Sequence, residues 1–385
     1  MPSVLLVSHH YPPHIGGLGL VVQKQAESMA RNGYQVVVLT SRYGRVRDAD
    51  RGGAGIHIAG VPCSHILERV FNIPFPLFCV SLLWRAWRLV RTAQVTHIHD
   101  VFYLSSWVAG ACAIFLRKPM VVTQHVGMVD HSSGCVMLVQ RLVYATFGRW
   151  LFSRACKVVV YNQNVHSFLR SIGVPEERIL FLSNGIDTAA FRPATQAERV
   201  AIRQRFGLPQ ERSLVLFVGR LVEKKGYHIL LAARDPAYEL VFVGPGPVPT
   251  DGRIESVHWL GPLDQDQTAE LFRACDLFAF PAVGEIFTLV MQEAMASGLP
   301  VVTTDDPAYC GSIVSHCITV SPREAASFRE AIARTLGDPA AYSRLSAESR
   351  NVAVQNFDWR KNFHPLEAVY SQILDGLSRS DHPAV

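Results

Sequence analysis

The sequence predicts two doubly wound, Rossmann-like α/β domains in series, and three observations carry that reading. The chain has 385 residues, too many for one ordinary core and enough for two domains of roughly 100–200 residues. Its apolar runs are short and alternate with helical stretches, the signature of βαβ units and a parallel sheet. After a polar segment at 192–212 the alternation begins again.

Val4-Leu5-Leu6-Val7 is an uninterrupted apolar run, as a strand buried on both faces requires. A Gly-rich turn follows, then a helix from about Leu20 to Arg31 that Asn32-Gly33 stops. Val36–Leu39, Val95–His99, Met120–Thr123 and Lys157–Tyr161 continue the series of strands. In the second half Leu214–Val218 leads into Gly219 and a basic turn, and Glu239–Val243 and Leu277–Phe280 come next. A helix at Leu289–Ser297 ends at Gly298, before the strand Pro300–Thr304. The expected domains are 1–190 and 191–357, with a last segment at 358–378 and a frayed polar tail.

Apolar residues make up 49% and charged residues 18%, which describes a globular chain. A net charge of +5 without a basic stripe argues against nucleic acid as a partner. Six lysines stand against 31 arginines, so the adjacent Lys224 and Lys225 draw notice. The eight cysteines form no CxxC pair, and several lie in apolar runs, where a thiol packs as a small hydrophobe. No secretory leader is expected, and a reducing cytoplasm is the expected compartment. The longest charge-free apolar run, Phe71–Trp84, is broken by Pro74 and Pro76 and falls short of the ~20 residues that span a bilayer.

Ligands of such sheets lie beyond the carboxyl ends of the strands, and the suggestive residues all follow strands. Pro12–Gly19 contains Gly16 and Gly17, which allow close backbone approach before a helix N-terminus that favours an anion. The same residues also read as a tight turn. They are not GxGxxG, and Thr40-Ser41-Arg42 supplies no acid for a dinucleotide ribose. His97-Ile98-His99-Asp100 and Thr123-Gln124-His125 close two strands. His97 and His99 share a strand face with no third ligand in view, which favours hydroxyl binding over a metal. In Val218–Gly226 the Arg220 fork and the Lys225 point charge suit a diphosphate, although a solvated basic turn has the same composition. Glu285 and Glu293 flank an apolar stretch, and two carboxylates can accept several sugar hydroxyls without a metal.

Taken in order, PPHIGG, VTQH, the NGID of Asn184–Asp187, FVGRLVEKKG, and E-x7-E with EAMASGLPVV resemble the retaining family 4 glycosyltransferases. The resemblance runs from about residue 4 to about residue 360. It implies the GT-B fold, in which two such domains face each other across a cleft. It also implies a nucleoside-diphosphate sugar as donor substrate, a glycan or lipid-linked acceptor, and neither cofactor nor metal. Gly16 and Gly17 would approach the donor phosphates or the acceptor, and His125 would bond a donor-sugar hydroxyl. Gly219, Arg220 and Lys225 would hold the leaving diphosphate. Glu285 would take the sugar, Glu293 the ribose, and the amides of Leu289 and Val290 a phosphate, with Thr288 beside the sugar. His99, Asp100 and Asn184 are assigned to the acceptor. Catalysis would rest on His125, Arg220, Lys225 and Glu285, the acceptor attacking from the face the diphosphate leaves. The last helix, around Trp359–Ile373, would return to the N-terminal domain.

The family's E-G-F-G here reads Glu285-Ile286-Phe287-Thr288, and its glycine-rich acidic loop reads Thr304–Cys310, so the sugar is left open. Asp305-Asp306 lacks the spacing of a DxD metal motif. Trp84, Arg85, Trp87, Arg88 and Arg91 form an arginine–aromatic helical segment, and Arg141–Lys157 forms a second. Anionic membrane surfaces attract such segments, although core aromatics beside solvated arginines read alike. Peripheral docking on the cytoplasmic membrane face and a lipid-linked or cell-surface glycan precursor are the matching expectations. The rival readings are a sugar-nucleotide epimerase of the same fold, an NAD-dependent dehydrogenase and a silent binding module.

Overall fold

The computed structural model describes the chain except residues 14–16, 43–54, 68–74, 129–133, 162, 183–184, 248–253, 284–287, 306–313 and 381–385. The chain forms two units, Met1–Asn184 with Asn362–Val385, and Gly185–Lys361.

In the first unit the strands are β1 (Ser3–Val7), β2 (Gln35–Ser41), β3 (Ile56–Val61), a short antiparallel pair β4 (Cys63–Ser64) and β5 (Leu77–Phe78), then β6 (Val95–His99), β7 (Met120–Gln124), β8 (Lys157–Val160) and β9 (Ile179–Phe181). The main sheet is parallel, in the order β3-β2-β1-β6-β7-β8-β9. Alternation along β1 sends Leu5 and Val7 into one core and Val4 and Leu6 into another, so both faces are covered. The second of these cores is completed by Phe363, Leu366, Val369 and Tyr370, three of them on the helix His364–Ser380.

The second unit carries β10 (Ser213–Val218), β11 (Tyr238–Val243), β12 (Val257–Gly261), β13 (Leu277–Phe280), β14 (Val301–Thr304) and β15 (Ile318–Ser321). Their order is β12-β11-β10-β13-β14-β15, again parallel. In each sheet the strand order reverses beside the first strand, at β1/β6 and at β10/β13, the switch points where doubly wound sheets bind ligands.

The expected boundary at 190 falls inside the second unit. Ile186 and Phe191 are buried in that unit's core, and Ile186 exchanges backbone bonds with Phe357 and Trp359. The polar stretch at 192–212 is built rather than linking. It contains the helix Gln196–Arg205, opened by a reciprocal capping box between Thr195 and Glu198. Arg203, 2% exposed, fastens this helix to the sheet. It donates to Asp276 and to the carbonyls of Ala274, Pro209, Gln210 and Arg212. Among the described residues no helix is long and apolar enough to cross a membrane.

Candidate functional site

At the carboxyl end of β10 the chain turns through Gly219 and exposes Arg220. Among the described residues the Arg220 guanidinium makes no hydrogen bond or ion pair. A short 3-10 turn, Glu223–Lys225, then ends at Gly226, whose φ is 77°. A Cβ there would lie 2.2 Å from the Pro281 carbonyl oxygen, so only glycine lets this loop close against the end of β13. Arg323 ties the same two segments together, donating to Pro281 O at 3.0 Å and Glu223 O at 2.7 Å. Lys225 Nζ lies 5.3 Å above the Phe280 ring, which orients the ammonium by a cation–π contact.

The helix Leu289–Ala296 begins beyond the same strand end, with Thr288 as its N-terminal residue. Thr288 Oγ1 is buried, has no hydrogen-bond partner among the described residues and does not cap the helix. The backbone N–H groups of Leu289 and Val290 belong to the first turn, which has no intrahelical acceptor for them. Such a turn attracts an anion. Glu293, on the same helix, is 6% exposed, and burial pushes its carboxyl up to about 7. The second unit thus gathers Gly219, Arg220, Lys225, Thr288, Leu289, Val290 and Glu293 about one switch point; Glu285 lies outside the described residues.

In the first unit the strand ends carry rings. His97 and His99 project from the same face of β6, stacked at 4.5 Å. His97 has an internal role. Its Nδ1 meets Gln25 Nε2 at 2.9 Å and Tyr370 Oη, and its Nε2 meets Thr123 Oγ1 at 2.7 Å, so it fastens the C-terminal helix to the sheet. His99 is fully buried, with its Nδ1 3.0 Å from Nε2 of the partly exposed His125. Asp100 adopts φ 60°, and its carboxylate accepts the His125 N–H at 2.8 Å. Burial pushes that carboxyl up to about 7 against the pull of the His125 and Val126 N–H donors. Burial holds His125 down at about 3 and His99 well below the usual imidazole range, so both rings are neutral at pH 7.

Asp100 and His99 therefore stand behind His125 and support it. Gly17 is exposed and opens the helix Gly17–Arg31, three residues before the expected start, so its N–H is a first-turn donor. Gly16 and Asn184 lie outside the described residues. The sequence reading passed over His9, which stacks on Tyr103 at 3.3 Å beyond β1, and Arg323, which follows an edge strand that carries no clear pattern. On the helix Ser81–Thr92 the structure corrects one grouping. Arg88 and Arg91 are exposed, but Arg85 is half-buried and donates to Gly60 O at 2.7 Å.

Two family models divide the chain. Glycosyltransferase Family 4 matches residues 15–190, and Glycosyl transferases group 1 matches residues 198–352. A glycogen synthase of Mycobacterium tuberculosis is 28% identical, covering 93% of this chain and 91% of its own. Among solved structures, the sucrose-phosphate synthase of Thermosynechococcus elongatus superposes with a TM-score of 0.76 at 20% identity, over 98% of this chain and 100% of its own. Anabaena HepE, in complex with UDP and glucose, gives 0.76 at 19% identity, over 97% and 100%. The chain belongs to the group 1 and family 4 glycosyltransferases, and it is a glycosyltransferase of GT-B fold.

Proposed function

We propose that the protein transfers a hexosyl group from a nucleoside-diphosphate sugar to a hydroxyl acceptor with retention of configuration. The observation that carries this reading is the open cationic strand end of the second unit. There Arg220, Lys225 and the first-turn amides of Leu289 and Val290 surround one switch point. These groups stabilise the charge that develops on the departing diphosphate. The acceptor hydroxyl attacks on the same face and passes its proton to a phosphate oxygen, so no protein nucleophile is needed. HepE binds UDP and glucose at the same fold, which supports a nucleotide-sugar donor. The cationic pair takes the place of a metal, and no cofactor enters the reaction.

The acceptor assigned is a lipid-linked or cell-surface glycan precursor, met at the cytoplasmic membrane surface. The support is a charge asymmetry in the first unit. Between Glu68 and Glu176 the acids are Asp100 and Asp130 alone, against eleven arginines and lysines. Melting with UDP, GDP and ADP tests the donor. A ligand at 100 times its Kd adds about 2.7 kcal/mol of stability, and no shift with any of the three removes the reading. A shift with NAD instead would select the dehydrogenase. Conversion of the sugar nucleotide without an acceptor would select the epimerase.

A further inference from the structure

A single buried nitrogen decides how His125 meets a ligand. His99 Nδ1 faces His125 Nε2 at 3.0 Å, while His99 Nε2 is buried and has no hydrogen-bond partner among the described residues. His97, stacked on His99, cannot serve it, because both His97 nitrogens are engaged by Gln25, Tyr370 and Thr123. Two neutral imidazoles that face each other share one hydrogen, so one ring donates and the other accepts. An orphaned buried N–H is rare and costly, and a bare ring lone pair is the cheaper group to leave unpaired. His99 therefore keeps its proton on Nδ1 and donates it to His125 Nε2. The proton of neutral His125 then resides on Nδ1, which the ring directs away from His99 and which no described residue bonds.

We propose that His99 is a positioning residue that fixes His125 in the Nδ1–H tautomer, so that His125 presents a hydrogen-bond donor rather than a base. Asp100 completes the device by holding the His125 backbone N–H at 2.8 Å, which sets the height of the ring. Burial disfavours the charged form of both rings, so the arrangement stays neutral across the physiological range. The inference deepens the transfer reading and rests on it in one respect, that the oxygen accepting from Nδ1 belongs to the donor sugar.

The test is imidazole ¹⁵N–¹H correlation spectroscopy on the full chain labelled at histidine, without donor, with the His125 signals assigned by their loss in His125→Gln. The parent should show His125 protonated at Nδ1 and bare at Nε2. His99→Leu fills the buried site without a donor and should shift His125 toward the Nε2–H form that free histidine favours. His99→Asn, whose amide can place an N–H where Nδ1 stood, should restore the parent pattern. KM for the nucleotide sugar should rise several-fold in His99→Leu and recover in His99→Asn. A parent His125 protonated at Nε2, or a pattern unmoved by His99→Leu, overturns the proposal. The spectra need no turnover, so they judge the tautomer even if the transfer reading fails. Failure of that reading appears separately, as absence of any nucleotide shift.

Discussion

Beyond β6 and β7 the first unit links its histidines and Asp100 to one another, whereas beyond β10 and β13 the second presents Arg220 and the first-turn N–H groups of a helix. The two sheets share one strand order apart from the extra edge strand β9 of the first, so topology does not separate them. In the first unit His97 is bonded by Gln25, Tyr370 and Thr123, and His99 and Asp100 hold His125. In the second, glycines bring bare backbone to the strand ends, and Arg220 is left in solvent. At Gly244, just beyond β11, a Cβ would lie 2.1 Å from Gly219 O, so these loops stack without side chains between them. Neutral fixed groups suit hydroxyls, which need direction. Cations and first-turn N–H groups at the strand ends suit a diphosphate, which needs charge.

The largest expected effect tests the charged half. Arg220→Ala and Lys225→Ala should each lower transfer by ~10²–10³-fold. Arg220→Ala should leave melting unchanged, since the side chain is exposed and makes no bond among the described residues. Wild-type turnover should persist in EDTA. Activity lost on chelation and regained with magnesium or manganese would move the charge from these side chains to a metal.

How much of this was legible beforehand divides along the same physical line. The central strands β1, β10 and β13 read clearly because burial on both faces demands unbroken apolar runs. The strands β3, β9, β12 and β15 did not. Each lies at a sheet edge; Val257-His258-Trp259-Leu260 is only partly buried, so neither alternation nor a pure run marks it, and β9 is a run of just three residues. The cationic residues of the second unit were legible because Gly, Arg and Lys after a strand carry a mechanism of their own. The ordering of the histidines was not, because His97 and His99 look alike in sequence. Only the distant Tyr370 and the neighbouring Thr123 make one a tether and the other a support.

Next in size is a stability effect at Glu293, the one buried carboxyl among the second unit's candidate residues described here. Its folded-state pKa, about 7, lies above the ordinary glutamate value of 4.5, so the folded protein holds the proton more tightly than the unfolded chain. Stability from this group is therefore full at low pH, declines as pH rises between those values and stays low above pH 7. Glu293→Gln should raise the melting point of the ligand-free protein at pH 8 by the equivalent of about 3 kcal/mol, and hardly at pH 4. The same variant should bind nucleotide more weakly. An equal gain at both pH values would show that Glu293 is not ionised at cost.

Thr288→Gly should act on specificity more than on stability. The hydroxyl does not cap its helix, so its loss costs only a few tenths of a kcal/mol. Removing this side chain from the proposed sugar site should reorder a panel of donor sugars by ~1–3 kcal/mol. An unchanged ranking would place Thr288 outside the sugar's reach.

The smallest effects belong to the outer surface of the first unit, where the same comparison takes another form. Val80, Trp84 and Phe115 are 81%, 70% and 76% exposed, and Trp87 meets Phe115 with ring centroids 5.4 Å apart. Leu138, Leu142, Phe147 and Trp150 are exposed on the neighbouring helical segment, where Phe147 stacks on Trp107. Arg88, Arg91, Arg141, Arg149 and Arg154 are exposed among them. Apolar rings edged by arginine, with acids nearly absent, match an anionic bilayer surface better than an aqueous one. The full chain should float with vesicles of anionic lipid and not with neutral ones, and added salt should release it. Each exposed arginine contributes about 1 kcal/mol at such a surface, so Arg88→Gln with Arg91→Gln should weaken binding by roughly tenfold or more. Arg85→Gln is the internal control. Its guanidinium is spent on Gly60 O, so the variant should lower melting slightly and leave flotation nearly intact. Nucleotide-induced stabilisation should be the same in all three proteins, because the cations proposed to meet the diphosphate lie in the other unit. If Arg85→Gln weakened flotation as much as the Arg88 and Arg91 pair, net charge and not this face would account for the binding.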